Sequence, residues 1–531
     1  GHRITMYKNN SRFSCKLKGC SPLQLSCNLT GKYHAVGYYS YTNRYGQAKN
    51  DMSATKRIEN FKDFTTQLEI IKLIDSWDNA DVLIVKESKF TSSGKITKKK
   101  KKINIEINDL SFPHFNDFEI IDGIEAEIEG FKCLIDSFYV NSTNTKVKKT
   151  SVERINVCSL NIIKGNNFKA DKSKYQCFIS TEVSNLNTFI YQFETVTYQD
   201  NKTEHFYDCL RINLDGYLFD IVQLKKEDKG YYIIDSLQAI DFEDFSEYCF
   251  SIKQALGFVT THMPGGEEII FTEENAFYYC NYLRPQIDSM YSPLNWNPHS
   301  ILYDKKEIAE SYINKLTKLK LEEFSTLVSA IHNNQELSAT IILLLEASSI
   351  RSFLIIPIVF SVVVESLSKI ISQVENEKEY PIDNKNVADS LKEDLTKIVD
   401  SYSDKVSNEG ILKIKRRINE INKPIVKEHL TNIEKLTLPF EQVNIKLTVN
   451  DIKAIEHRND LLHGNILLER KELKSESDIN NYMGYISGKL FTLISALILK
   501  YIGYEGYIIN YAKFYEDLCE IETIEEYFRL I

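Results

Sequence analysis

The sequence predicts an α+β multidomain fold, with an N-terminal antiparallel β-rich region followed by a C-terminal all-α bundle. Three observations predict it. Strand-like alternation fills residues 80–235, long helical periodicity replaces it beyond about residue 305, and 531 residues exceed what one core encloses. Strands first and helices afterwards point to segregated regions rather than an interleaved α/β fold.

The strand signals come in order. Residues 81–85 are a short apolar run, and Ile103, Ile105 and Ile107 alternate with polar neighbours. Further strands are expected at 131–140, 154–163, 175–183, 188–198, 209–224 and 230–235, the last pair joined by Lys225-Lys226-Glu227-Asp228-Lys229. The lysines Lys98 to Lys102 follow a Ser92-Ser93-Gly94 turn signal and read as a solvated loop without a role. Residues 242–258 turn helical, Met263-Pro264-Gly265-Gly266 ends that element, and 291–299, with two prolines, reads as a linker. This places a β-rich sensor or regulatory region at 6–300 and a helical domain at 306–531. The helical domain carries patterns near 305–333, 335–352, 355–376, 386–406, 409–421, 450–463 and 478–502.

Composition narrows the class. Hydrophobic residues at 43% and charged residues at 26% suit a protein with real cores, not a disordered or fibrous chain. A net charge of −9 means that a polyanion must be held at a locally basic patch. Ten scattered cysteines, without a CxxC pair, read as reduced thiols of a cytoplasmic protein; Cys15, Cys20 and Cys27 are too loosely spaced for a zinc site, so no metal or other cofactor is expected. The first residues lack the pattern of a signal peptide. The apolar segment 339–367 is broken by Glu346, Arg351 and Pro357, and reads as two buried helices rather than a membrane span. His205, His262 and His299 are isolated and read as structural or exposed, and neither a Ser-His-Asp set nor a phosphate-binding glycine loop is visible.

One helix combines reactive side chains in an unusual place. It starts near Thr448 or Asn450 and ends at His463, where Gly464 supplies a stop. At 100° per residue, Ile452, Ala454, Ile455, Leu461 and Leu462 form an apolar arc opposite Lys453, Glu456, His457 and Asp460. Arg458 and Asn459 fall inside that arc, where a guanidinium must be paired or line a cavity. His463 projects from the last turn beside Asn459. A guanidinium can fork onto a phosphate and an imidazole can move a proton, the parts that metal-independent RNA cleavage requires. An Arg paired with a buried carboxylate, and a surface His at a helix C-terminus, would equally satisfy the spacing.

The run Arg458-Asn459-Asp460-Leu461-Leu462-His463-Gly464, late in a helical bundle, resembles the R-x4-6-H signature of the HEPN superfamily. A β-rich region ahead of it is similar to the layout of ApeA-type anti-phage defence proteins. The resemblance implies an endoribonuclease acting in abortive infection on RNA, with tRNA one substrate, switched on by a phage-derived trigger. It implies that Arg458 and His463 are catalytic, that Asn459 supports them, and that a homodimer brings two such helices together. An acidic residue earlier in the bundle is a further HEPN feature; Glu365 is the candidate to orient Arg458, sharing a stripe with Ser361, Ser368 and Ser372, while a plain Glu365–Lys369 pair competes. Lys413, Lys415, Arg416 and Arg417 form a basic stretch suited to an RNA backbone or to plain solvation. Gly484, Ser487, Gly488 and Ser495 could admit a partner's helix or suit the bundle's own interior. The alternative function is a non-catalytic dimeric interaction or sensor protein that uses the bundle to dimerise.

Overall fold

The computed structural model describes residues 63–531 apart from 87–88, 109–123, 149–150, 166, 187–188, 200–205, 282–285, 351, 373–379, 424–430, 463–474 and 520–524, with a few short strand pieces earlier in the chain. An N-terminal β-rich region and a C-terminal helical region are both present, as the periodicities predict.

After helix α1 (Thr65–Asp75) come strands β1 (Asp78–Lys86), β2 (Lys89–Lys99), β3 (Lys102–Asn108), β4 (Ile124–Ile128), β5 (Phe131–Lys148) and β6 (Ser151–Gly165). They pair antiparallel in the order β6-β3-β2-β1-β4-β5, and β5 returns to β6, closing a six-stranded barrel. Alternate residues Ile103, Ile105 and Ile107 fill its interior with Val82, Ile96, Ile128 and Ile135. Gly94, expected in a turn, lies inside β2 opposite Ile107; a Cβ there would sit 2.3 Å from the Glu106 carbonyl oxygen. The glycine admits close strand approach in a small barrel.

Strand β6 also leads into a second sheet. Its end, Ile162 to Gly165, pairs with β14 (Phe277–Asn281), and the order continues through β13 (Glu267–Thr272), β7 (Tyr175–Thr181), β11 (Lys229–Ser236), β10 (Tyr217–Lys226), β9 (Phe206–Leu214) and β8 (Val196–Gln199). Both faces are covered: Phe178, Ile233 and Phe271 join the barrel core, while Cys177, Ile179, Tyr232 and Ile234 join a core shared with helices. Two expectations fail locally. Residues 189–192 form the helical turn α2 (Phe189–Gln192), because Phe193 is drawn onto Phe324 with ring centroids 4.8 Å apart. The expected single strand 209–224 is instead a hairpin turning at Asp215-Gly216.

The lysine run is not a solvated loop. It spans the β2–β3 hairpin, and the Lys98 side chain, 3% exposed, is ion-paired with Asp75 and Glu267. Lys101 reaches the carbonyls of Ser180 at 3.1 Å and Gly265 at 3.3 Å.

Helix α3 (Phe242–Thr260) lies on the second sheet and packs against the bundle. The chain continues through the two-residue strands β12 (His262–Met263) and β15 (Ile287–Asp288), which pair together. The helices are α4 (Pro298–Ile301), α5 (Lys306–Tyr312), α6 (Leu321–Asn333), α7 (Gln335–Ser349), α8 (Ile356–Ile371), α9 (Lys385–Asp400), α10 (Asn408–Asn419), α11 (Asn432–Gln442), α12 (Val449–Glu456), α13 (Arg458–Leu462), α14 (Glu476–Tyr501) and α15 (Tyr511–Cys519). The hairpin β16 (Tyr507–Ile509) and β17 (Phe528–Leu530) closes the chain. Helices α7 and α8 are the buried pair expected over 339–367.

The segment expected as a linker is packed. Tyr291 stacks on Phe491 at 4.9 Å and meets Tyr511 edge-on at 4.9 Å, and the Ser292 hydroxyl donates to the Val259 carbonyl at 2.8 Å. One apolar core therefore runs from the second sheet through α3 into the helices, across the boundary expected near 300.

Helix α14 is long and apolar enough to cross a membrane by length and composition, and 94% of its apolar window is buried inside the protein. Its small residues serve α15: a Cβ on Gly484 would meet Tyr515 at 2.6 Å, and one on Gly488 would meet the Tyr511 backbone at 2.9 Å. Ser487 and Ser495 are also fully buried, so this face is filled from within the chain rather than left for a partner helix. Gly488→Ala is expected to lower stability by about 1–3 kcal/mol despite alanine's better helix propensity, read as a lower urea midpoint.

Beneath α14 lies a buried charge cluster. Lys489, 1% exposed, pairs with Asp451 at 2.8 Å and with Glu525, while Arg529 reaches Asp451 at 3.0 Å. These contacts tie α12, α14 and the C-terminal strand together.

Candidate functional site

The site is set by α12 and α13. Thr448 caps α12, its hydroxyl accepting from the Asp451 N–H at 3.1 Å, and the Asp451 carboxylate returns a bond to the Thr448 N–H at 2.8 Å. Ala454, Ile455 and Leu461 are buried, as the projection predicts. The helix breaks at His457, yet the bonds His457 N–H to the Lys453 carbonyl and Leu461 N–H to the His457 carbonyl keep the chain coiling across it.

Arg458, the first residue of α13, faces α8, and its Nη2 donates to Glu365 Oε2. Its side chain is 18% exposed and that of Glu365 31%. Lys369 also reaches Glu365, at 3.0 Å, so the two pairings that compete in the sequence coexist. Lys369 first, then Arg458, hold the Glu365 carboxyl below its ordinary range against the upward push of partial burial. Glu365 thus stays ionised and fixes the guanidinium plane, while cancelling part of its charge. Because both groups keep contact with water, the pair serves orientation more than stability.

The hydroxyls that share a stripe with Glu365 all donate to backbone carbonyls. Ser361 donates to the Pro357 carbonyl at 2.8 Å, Ser368 to the Val364 carbonyl at 2.8 Å, and Ser372 to the Ser368 carbonyl. Each hydroxyl is bound back onto its own helix.

His463 and the Asn459 side chain lie outside the described residues. So do Cys15, Cys20, His205 and the Cys27 side chain. The structure describes another imidazole beside Arg458: His457, expected on the solvated side, is 10% exposed, with Nε2 3.2 Å from the Tyr482 hydroxyl and Nδ1 3.5 Å from Asp460. Its adjacency to Arg458 was visible in the sequence, but its burial under α14 was not.

No family model, curated protein or solved structure matches the chain.

The basic stretch sits on α10, whose main partner is α9, whereas α13 packs on α8. Lys413 pairs with Glu409 at 2.8 Å, Lys415 with Asp400 at 2.5 Å and Arg417 with Glu420 at 3.1 Å, and Arg416 is exposed. Acidic neighbours thus reduce the field of this surface, and among the described residues the main contact of α10 is with α9 rather than with the helices that carry Arg458 and Glu365. Among the described residues no group of three His, Cys, Asp or Glu side chains is placed to hold a metal ion.

Proposed function

We propose that the chain is a metal-independent endoribonuclease of HEPN type, acting in anti-phage abortive infection, with the β-rich region as sensor or restraint. The observation that supports this reading most is the Arg458–Glu365 contact across α13 and α8. The arginine of the R-x4-6-H run and the acidic residue chosen for it 93 positions away meet in space.

Arg458 holds the scissile phosphate and spreads its developing negative charge. His463 moves the proton as the 2′-hydroxyl attacks its own phosphate, leaving a 2′,3′-cyclic phosphate and a 5′-hydroxyl. Asn459 supports them, Glu365 acts as a positioning residue, and two protomers complete one cleft. RNA is the substrate, with tRNA a specific case, and a phage product is the trigger. The basic face of α10 would meet RNA at a distance from the chemistry.

The test is cleavage of total cellular RNA by the intact protein in EDTA, with and without lysate of phage-infected cells. The expected products carry cyclic phosphate ends and disappear with His463→Ala. Cleavage that needs a divalent cation, or persists in His463→Ala, refutes the assignment. The same Arg458–Glu365 contact also suits a non-catalytic dimeric module in which the pair is structural. That reading predicts no cleavage under either condition and a dimer that survives loss of both side chains.

A further inference from the structure

We propose that Thr181, His262 and Asp288 form a second chemical site, in the β region, that transfers acyl groups from carboxylic esters to the Thr181 hydroxyl and then to water. The three residues come from the ends of β7, β12 and β15, 81 and 26 positions apart, so their meeting is a property of the fold. His262 Nε2 lies 3.0 Å from Thr181 Oγ1 and Nδ1 lies 2.6 Å from Asp288 Oδ1.

The hydrogen-bond directions in this cluster are constrained. The Asp288 carboxylate can only accept, so Nδ1 carries a proton, while the Asn185 amide donates to Thr181 Oγ1 at 3.2 Å and lies 3.5 Å from Nε2. Nε2 then carries the lone pair, and Nδ1–H donates to Asp288. That bond is the main reason the Asp288 carboxyl is held below its ordinary range. This is the tautomer that a nucleophile-activating histidine requires. Tyr232 stacks on the imidazole at 5.7 Å and anchors its hydroxyl on the Asn185 carbonyl at 2.9 Å, which fixes the ring plane.

The backbone is strained where it delivers the histidine. Thr261, a β-branched residue, ends α3 in the left-handed region at φ +71°. Such a conformation persists only when its surroundings enforce it, and it clusters at functional sites. Lys101 adds a cation beside the relay, bound to the carbonyl of Ser180, the residue before Thr181. Burial lowers its pKa despite the attraction of Glu267, Glu182 and Asp288. Thr181 and His262 are buried, while the Asp288 side chain is 60% exposed.

In the step, Thr181 Oγ bonds to the ester carbonyl carbon as His262 Nε2 takes the hydroxyl proton. The C–O bond to the leaving alcohol breaks as that proton passes to it, and Lys101 steadies the transient oxyanion. Water, deprotonated by the same nitrogen, then releases the acid.

The test is labelling of the intact folded protein with a fluorophosphonate probe, followed by peptide mass spectrometry. A hydroxyl so activated displaces fluoride, forming an O–P bond, and the expected adduct is on Thr181. His262→Gln and Asp288→Asn should slow labelling by about 100-fold or more, and Thr181→Ser should retain it. Asp288 is largely exposed, so its variant is expected to keep the fold and reports on the relay alone. No adduct on the wild-type protein, or equal labelling in Asp288→Asn, overturns the proposal.

Discussion

Replacing Lys489 by methionine is expected to destabilise the protein by up to about 3–5 kcal/mol, the cost of removing one member of a buried ion pair, with Arg529 left as the remaining partner of Asp451. Asp451 is wholly buried and Lys489 nearly so; their 2.8 Å contact is backed by Arg529 at 3.0 Å, and Asn510 donates to Glu525 at 2.8 Å. Methionine keeps the volume and removes the charge, so packing changes little and the loss reports the ion pair. The urea midpoint should fall with an unchanged slope, whereas Asp451→Asn combined with Lys489→Met should lose less than the two single changes added. The pH dependence has a definite sign. Burial pushes the Asp451 carboxyl up, but Lys489 and Arg529 outweigh it and hold it below the ordinary aspartate value. Its contribution is therefore complete above about pH 4 and lost as the pH falls through the lowered native value. Lys489→Met should have a flatter acid limb; an unchanged midpoint and acid limb would show that the cluster is energetically silent.

Arg458→Ala should lower RNA cleavage by about 100- to 1,000-fold, the usual loss when one donor to a developing charge is removed. Arg458→Lys should recover little, since an ammonium cannot reproduce the planar fork. Glu365→Gln separates positioning from structure: it should reduce kcat by about 10-fold with KM nearly unchanged, because the guanidinium remains but its plane is less fixed. Its thermal midpoint should stay close to wild type, the pair being partly exposed. Full cleavage by Arg458→Ala would end the assignment of the chemistry to this site.

Much of this fold was legible because its strands and helices carry different periods. The alternation of Ile103, Ile105 and Ile107 predicts a half-buried strand, though not its closure into a barrel, and the apolar arc through Ala454, Ile455 and Leu461 predicts the buried face beneath Arg458. Where the reading failed, tertiary partners decided. The aromatic run at 189–193 has strand propensity but coils so that Phe193 can meet Phe324. Helix α11 was missed because Pro439 breaks its pattern near the end, and Lys98 looked solvated because Asp75 and Glu267 are remote in sequence. Glu365 was legible only through resemblance. His262 was passed over because both its partners are distant along the chain, and no spacing rule joins them.

The column of rings around Tyr291 constrains how the two regions can influence one another. Tyr291 and Phe491 contact each other and both Phe360 and Tyr511, and one residue upstream the Met290 N–H bonds the Ser348 carbonyl at the end of α7. A second stitch joins Gln192 and Glu194 to Leu319 through backbone bonds of 2.7 and 2.9 Å. Close-packed rings do not bend gradually; they either hold or exchange one arrangement for another. A load applied to the sheet thus reaches α14 as it would through a welded joint, by shear across packed rings, with no door-like swing between the halves.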